Sequence, residues 1–144
     1  EIVGDSISCG YGVRGTSEAE TVKELAALPF AAAFSIIRKN SVHPAVGTEL
    51  HAWLDARALD TAIVVGDCTD ICVYLLALHL RVRANAVNQK MRVIVPADCA
   101  QTYDLPVSAA TQIGALPHAG DLLHALFLYH MALHAVEVVK AIEE

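Results

Sequence analysis

The chain is poor in aromatic side chains, in basic charge and in long unbroken apolar runs. Phe, Tyr and Trp supply 6% of its 144 residues, yet 55% are hydrophobic and the mean hydropathy is +0.45. Ala, Val, Leu and Ile therefore carry the core, a composition that suits strands buried on both faces of a parallel sheet. No apolar stretch reaches the roughly 18 residues needed to cross a bilayer. Each candidate is interrupted by Asp, His or Arg, which argues against a membrane protein. Ten Lys and Arg face 16 Asp and Glu, a net charge of −6. The loose basic group Arg81, Arg83, Lys90 and Arg92 reads as a solvated face, not a nucleic-acid site. Four cysteines in a chain of this length are too few for a disulfide scaffold, so reduced thiols and a cytoplasmic setting are expected. No signal peptide is visible.

The length suits one domain over residues 1–144. The opening stretch EIVGDSISCGYGVRGTSEAE does not begin with Met and reads as loop and turn. The expectation is a single domain whose first strand precedes Glu1.

Elements then alternate along the chain. Residues 16–28 carry Thr16 or Ser17 as cap and acids in the first turn, and read as a helix. Residues 33–39 read as a strand ending in Arg38 and Lys39. Residues 47–59 place Leu50, Trp53, Leu54 and Ala58 on one helical stripe. Residues 60–67 are a β-branched run typical of a central parallel strand, and 69–87 form a helix apolar enough to be largely buried. Residues 91–98 read as another strand, then a loop with Pro106 and Pro117, a helix at 120–135 and a last strand at 136–142. Strands alternating with helices imply an α/β fold with a parallel sheet covered on both faces. Ligands in such sheets sit beyond the carboxyl ends of the strands.

Three strand ends are polar: Arg38–Lys39, Gly66–Asp67 followed by Cys68 to Cys72, and Asp98 followed by Cys99 to Tyr103. Cys72 falls in the first turn of the apolar helix, with Thr69 a candidate N-cap. Helix amides and the helix dipole lower a thiol pKa there, and an ammonium such as Lys39 lowers it further. The same amides can hold an oxyanion. Asp70 opposes thiolate formation unless its carboxylate points away. A small core cysteine is the plain alternative. Cys68 and Cys72 lack two further ligands for zinc, the nearest His being His79 along the same helix. A disulfide between them strains a strand-to-helix turn. His130 and His134 stand at i, i+4 without a Glu-flanked zinc motif, and His124 shares their helix. They read as a core edge or subunit contact, while His43 and His118 read as loop residues. No metal is expected. Thr69 and Tyr103, on the same rim, are candidate substrate contacts.

IVVGDCTDICV (63–73) resembles the strand-to-helix signature of the isochorismatase-like cysteine hydrolases. IIRKNSVHPAVGTEL resembles that family's preceding segment, in which a strand ends in a catalytic lysine. VIVPADCAQTYD and RGTSEAETVKEL fit neighbouring family segments. The resemblance implies a three-layer α/β/α fold with a mainly parallel, Rossmann-like sheet. It implies Cys72 as nucleophile and Lys39 as its support, with an oxyanion hole from the amides of Cys68 and Cys72. A non-proline cis peptide is implied at Asp67–Cys68. The family's third catalytic member, an aspartate ending the first strand, is not matched, and Asp5 does not take its role. The Asp/His metal site of nicotinamidases belongs to the segment ahead of this sequence. Val46 replaces the aromatic usual before Gly-Thr.

The function expected is a cysteine hydrolase acting on a C–N bond of a small amide, imide or ureido molecule through a thioacyl-enzyme, without a cofactor. Vinyl-ether hydrolysis and a catalytically silent oligomer module are the alternatives. The late helix, with Leu122, Leu123, Leu126, Phe127, Leu128, Met131 and Leu133, is expected to pack on the sheet, on a second copy in a homo-oligomer, or on both.

Overall fold

A computed structural model describes residues 15–142, apart from the side chain of Glu18. The opening stretch with Asp5 and Cys9 lies outside the described residues. The chain falls into two compact units, one ending at Ala58 and the other beginning at Leu59.

In the first unit the helix expected over 16–28 is reduced to a 3₁₀ turn at Ser17–Ala19 and a single turn, α1, at Lys23–Ala26. Thr16 makes no side-chain cap, and no residue of α1 is buried. A short helix without a buried face has little to hold it together. The strand expected at 33–39 is also shorter. A 3₁₀ turn takes Ala31–Ala33, and the chain beyond runs with Ile37 and Lys39 buried and Ile36 and Arg38 exposed. That alternation is the two-residue period of extended chain. Helix α2, Leu50–Asp55, buries Leu50 and Leu54. Ala58 lies beyond its end and is exposed. Arg57 closes the helix, donating to the Trp53 carbonyl at 2.9 Å with its guanidinium 3.9 Å above the indole.

The second unit is built on parallel strands. Strands β1 (Thr61–Ile63), β3 (Arg92–Pro96) and β5 (Glu137–Val139) form one sheet in the order β1-β3-β5. Strands β2 (Gly66–Asp67) and β4 (Ala100–Gln101) form a second parallel pair. The α/β class with parallel strands is thus present, and the run expected as one strand at 60–67 is two pieces. The register explains the break. Thr61 faces Arg92, an offset of 31 residues, whereas Gly66 faces Ala100, an offset of 34. The difference, 34 − 31 = 3, is taken up by the three-residue 3₁₀ turn Ala97–Cys99. That turn carries Asp98 and Cys99 out to solvent.

The core lies on β3, where Val93 and Val95 are fully buried. Helix α3, Tyr74–Ala86, packs on it through Ala77, Leu80 and Ala84, at spacings of three and four residues. Alanines at 0% exposure leave room for close approach of helix and sheet. From Thr69 to Arg81 every residue is buried or half-buried, as expected, and exposure begins beyond Arg81, at Val82 and Val87. The loop expected after β4 contains a helix, α4, at Val107–Ile113. Pro106 precedes it and Gly114 ends it in the left-handed region at φ +68°. Helix α5, Gly120–Leu133, turns Leu128 and Met131 inward and leaves Leu122, Leu126, Tyr129 and Leu133 exposed. None of the described helices is long and apolar enough to cross a membrane. Arg92 and Glu137 pair across β3 and β5 through two hydrogen bonds of 2.9 and 2.6 Å. Both are exposed, so the pair is a minor, salt-sensitive contribution.

Met131 is the fully buried side chain of α5, at 0% exposure. Met131→Ala is expected to cost about 2–5 kcal/mol, read as a lower urea midpoint at unchanged denaturant slope.

Candidate active site

The second unit shapes its candidate site at the end of β2. Gly66 sits at φ +122°, a backbone setting that side-chain-bearing residues rarely adopt. The Asp67–Cys68 peptide bond that follows is cis. Cys68 is extended, and from Thr69 to Val73 the chain forms a π turn that runs straight into α3. The amides of Ile71 and Val73 both donate to the Cys68 carbonyl at 3.1 Å. The second of these spans five residues and widens the turn. The capping position belongs to Cys68 and not, as expected, to Thr69. Thr69 is 0% exposed, with its hydroxyl 2.8 Å from His124 Nδ1 on α5. That side chain pins the turn to the helix instead of facing solvent. Cys72 is half-buried within the turn, at the amino end of the continuous helical stretch. Cys68, Cys72 and Cys99 carry no disulfide.

Asp70, whose charge stood against a thiolate at Cys72, is engaged elsewhere. The Thr102 hydroxyl donates to its Oδ1 at 2.5 Å, and His118 Nε2 lies 2.8 Å from its Oδ2. The side chains of His118 and Asp70 are 12% and 8% exposed. His118 Nδ1 donates to the Tyr103 carbonyl at 2.8 Å, and the two rings stack with centroids 3.8 Å apart. The backbones of Leu105 and His118 exchange hydrogen bonds of 2.8 and 2.9 Å in an antiparallel bridge. Asp104 Oδ1 accepts the amide of Gly120 at 2.9 Å, which satisfies the first free N–H of α5. Tyr103, a candidate substrate contact, is 46% exposed.

Sequence reading did not single out Thr102 or Asp104, and took His118 as a loop residue and His124 as part of a core edge or subunit contact on the late helix. Asp70 and His118 are 48 residues apart, so no local spacing announces the pair. His124 carried a helical signal but not its partner across the unit. Among the described residues, no group of three His, Cys, Asp or Glu converges on a metal position.

Cys99 differs from its neighbours in the turn. It is exposed and donates to Asp98 Oδ1 at 3.4 Å, and this bond, with burial and the aspartate charge behind it, holds its pKa above the ordinary thiol value.

In the first unit, Lys39 is 7% exposed and its Nζ donates to the Ser41 carbonyl at 3.0 Å. The Ser41 hydroxyl in turn donates to the His43 carbonyl at 3.0 Å, and His43 Nδ1 accepts the Ala45 amide at 3.2 Å. Thr48 donates to the Pro44 carbonyl at 2.6 Å and accepts the Leu50 amide at 3.3 Å, which fixes the start of α2. A cavity of about 450 Å³ lies against Ile36, Arg38, Gly47, Thr48 and Glu49. Val46, in place of the aromatic, is 62% exposed.

The family model for the isochorismatase domain matches residues 10–125. The chain belongs to the isochorismatase family. It is 32% identical to nicotinamidase 1 of Arabidopsis thaliana over 139 residues, which is 89% of this chain and 57% of the plant protein. The chain thus spans little more than half the length of that relative. Among solved structures, the nicotinamidase of Staphylococcus aureus superimposes with a TM-score of 0.70 at 21% identity, over 97% of this chain and 74% of that one. The nicotinamidase of Bacillus subtilis gives 0.65 at 19%, over 96% and 72%. A cysteine hydrolase of Pseudomonas syringae gives 0.63 at 23%, over 87% and 52%. These likenesses show that the isochorismatase fold is shared.

Two outcomes follow for the site. A Cβ on Gly120 stands 2.8 Å from the Tyr103 carbonyl oxygen, a backbone atom that cannot swing aside. Gly120→Ala is expected to lower stability by about 1–3 kcal/mol, measured by urea unfolding. Because its pKa is raised, Cys99 stays a thiol to higher pH. Its alkylation by iodoacetamide, followed by peptide mass spectrometry, is expected to reach half-rate above the ordinary thiol range of about pH 8.5, and Asp98→Asn to bring that midpoint down.

Proposed function

We propose that this chain is the core of a cysteine hydrolase that cleaves a C–N bond of a small amide, imide or ureido molecule. The observation that carries the proposal is the position of Cys72. It lies half-buried in the turn that opens a long helix, at the carboxyl end of a parallel strand. Helix amides and the helix dipole favour thiolate in such a turn. The relationship to nicotinamidase 1 of Arabidopsis thaliana supports an amide as the substrate class.

In this mechanism the Cys72 thiolate attacks the carbonyl carbon. A C–S bond forms, and the carbonyl π pair moves to oxygen. The amides of Cys68 and Cys72 hold that oxyanion. Collapse breaks the C–N bond, and the nitrogen leaves with a proton from a general acid. Water then adds to the thioester, which releases the carboxylic acid and regenerates the thiol. Lys39 acts by lowering the cost of negative charge on sulfur, and Tyr103 offers an exposed ring to the substrate.

The test is ammonia release from nicotinamide and a panel of small amides and ureido compounds, with intact-mass trapping of the acyl adduct. Cys72→Ala is expected to abolish turnover and the adduct. Lys39→Met is expected to slow turnover by about 10²–10⁴-fold. Full activity in Cys72→Ala overturns the proposal. A silent chain that forms no adduct with any of the panel favours the oligomer-module alternative.

A further inference from the structure

The proposed nucleophile turn contains a carboxylate two residues before its sulfur, Asp70 before Cys72. Such a charge raises the pKa of a neighbouring thiol. The structure answers it with His118. The imidazole faces an acceptor at each nitrogen: the Tyr103 carbonyl oxygen 2.8 Å from Nδ1 and Asp70 Oδ2 2.8 Å from Nε2. A carbonyl oxygen only accepts, so Nδ1 carries its hydrogen. The neutral ring then has none left for Nε2, and an ionised carboxylate has none to offer. Both contacts are hydrogen bonds at once only when the pair holds one additional proton, on the ring or on the acid, and in either form the His118–Asp70 pair is neutral as a unit. The Thr102 hydroxyl satisfies the other carboxylate oxygen.

We propose that His118 is a positioning residue for Cys72, cancelling the charge of Asp70 within the nucleophile turn and tying that turn to the Tyr103–Gly120 segment. The proposal rests on Cys72 as the nucleophile and goes beyond it, since it gives a role to a residue that the reaction proposed above does not use. Other ionisable groups border the turn: Asp67 and Cys68 from the β2 side, Tyr103 and Asp104 after β4, Tyr74 on α3 and His124 on α5. Of these, His124 is bonded to Thr69 and Asp104 to the Gly120 amide. Of the side chains bonded to Asp70 among the described residues, Thr102 and His118, the imidazole is the one that can carry a positive charge.

The test is the pH dependence of Cys72 alkylation by iodoacetamide in the full chain, read on the Cys72 peptide by mass spectrometry. His118→Ala is expected to move the midpoint up by about half a pH unit or more, which makes alkylation at fixed lower pH about threefold slower. Asp70→Asn removes the charge that His118 answers, so its midpoint is expected at or below that of the parent. The double variant Asp70→Asn/His118→Ala is expected to return to the Asp70→Asn value. A merely structural histidine predicts the opposite, a double variant at least as disturbed as His118→Ala. If His118→Ala does not fold, His118→Gln, which keeps bulk and a hydrogen-bond donor but not the charge, is expected to show the same upward shift. A midpoint unchanged in the folded histidine variant, or a double variant that stays raised, overturns the proposal. Turnover by Cys72→Ala overturns the nucleophile assignment and leaves this coupling intact, so the two failures are distinguishable.

Discussion

Parallel pairing between the chain at 61–67 and the chain at 92–101 governs what the second unit can present. The two ladders are three residues out of step, and the turn Ala97–Cys99 absorbs the slip. That slip lets β2 and β4 pair again after the first ladder has ended. It aligns the start of the Cys72 turn with the residues just before Thr102 and Tyr103. Without it, Asp70 and Thr102 would not meet, and the second carboxylate oxygen of Asp70 would lack its donor. The buried valines of β3 hold this arrangement from below, because moving the strand would expose Val93 and Val95 together.

The same frame explains how an acid is tolerated beside a proposed nucleophile. Burial makes an unanswered charge costly, so a carboxylate at 8% exposure calls for donors. Asp70 has a hydroxyl and an imidazole. Three kinds of contact hold that imidazole in place: a carbonyl at Nδ1, a stacked tyrosine ring and the backbone bridge to Leu105. Gly120 permits the close approach, since its missing Cβ leaves the Tyr103 carbonyl where His118 can reach it.

Much of this was legible in the sequence where local pattern and tertiary packing agree. The β-branched run before Gly66 and the apolar run at 91–98 announced neighbouring parallel strands, and the late helix appeared within two residues of its expected end. The cysteine pair at 68 and 72 announced a strand-to-helix turn. Residues 16–28 misled because capping signals predict a helix only if a face is buried, and α1 buries none. Helix α4 was missed for a related reason. Its one buried residue is Ala110, too weak a stripe to read, although Pro106 and Gly114 bracket it. The helix over 69–87 read as largely buried up to Arg81, and no residue from Thr69 to Arg81 is exposed. Thr69 looked like a cap because hydroxyls favour that position, and a π turn shifted the role by one residue. Residues that touch across 48 positions leave no spacing to read.

The antiparallel bridge at Leu105 has a consequence for how the unit assembles. Bringing Asp70 and His118 together directly closes a loop of 48 residues. On a simple loop-entropy scale its length-dependent cost is roughly 3–4 kcal/mol. Yet His118 is already joined to Tyr103 across only 15 residues, and Thr102 alone separates Tyr103 from the strand that pairs beside the turn. Once β2 and β4 are zipped and the small ring is closed, the large ring requires the ordering of a few residues. The long-range His118–Asp70 contact then behaves as a nearly local one, a latch that closes at little entropic cost.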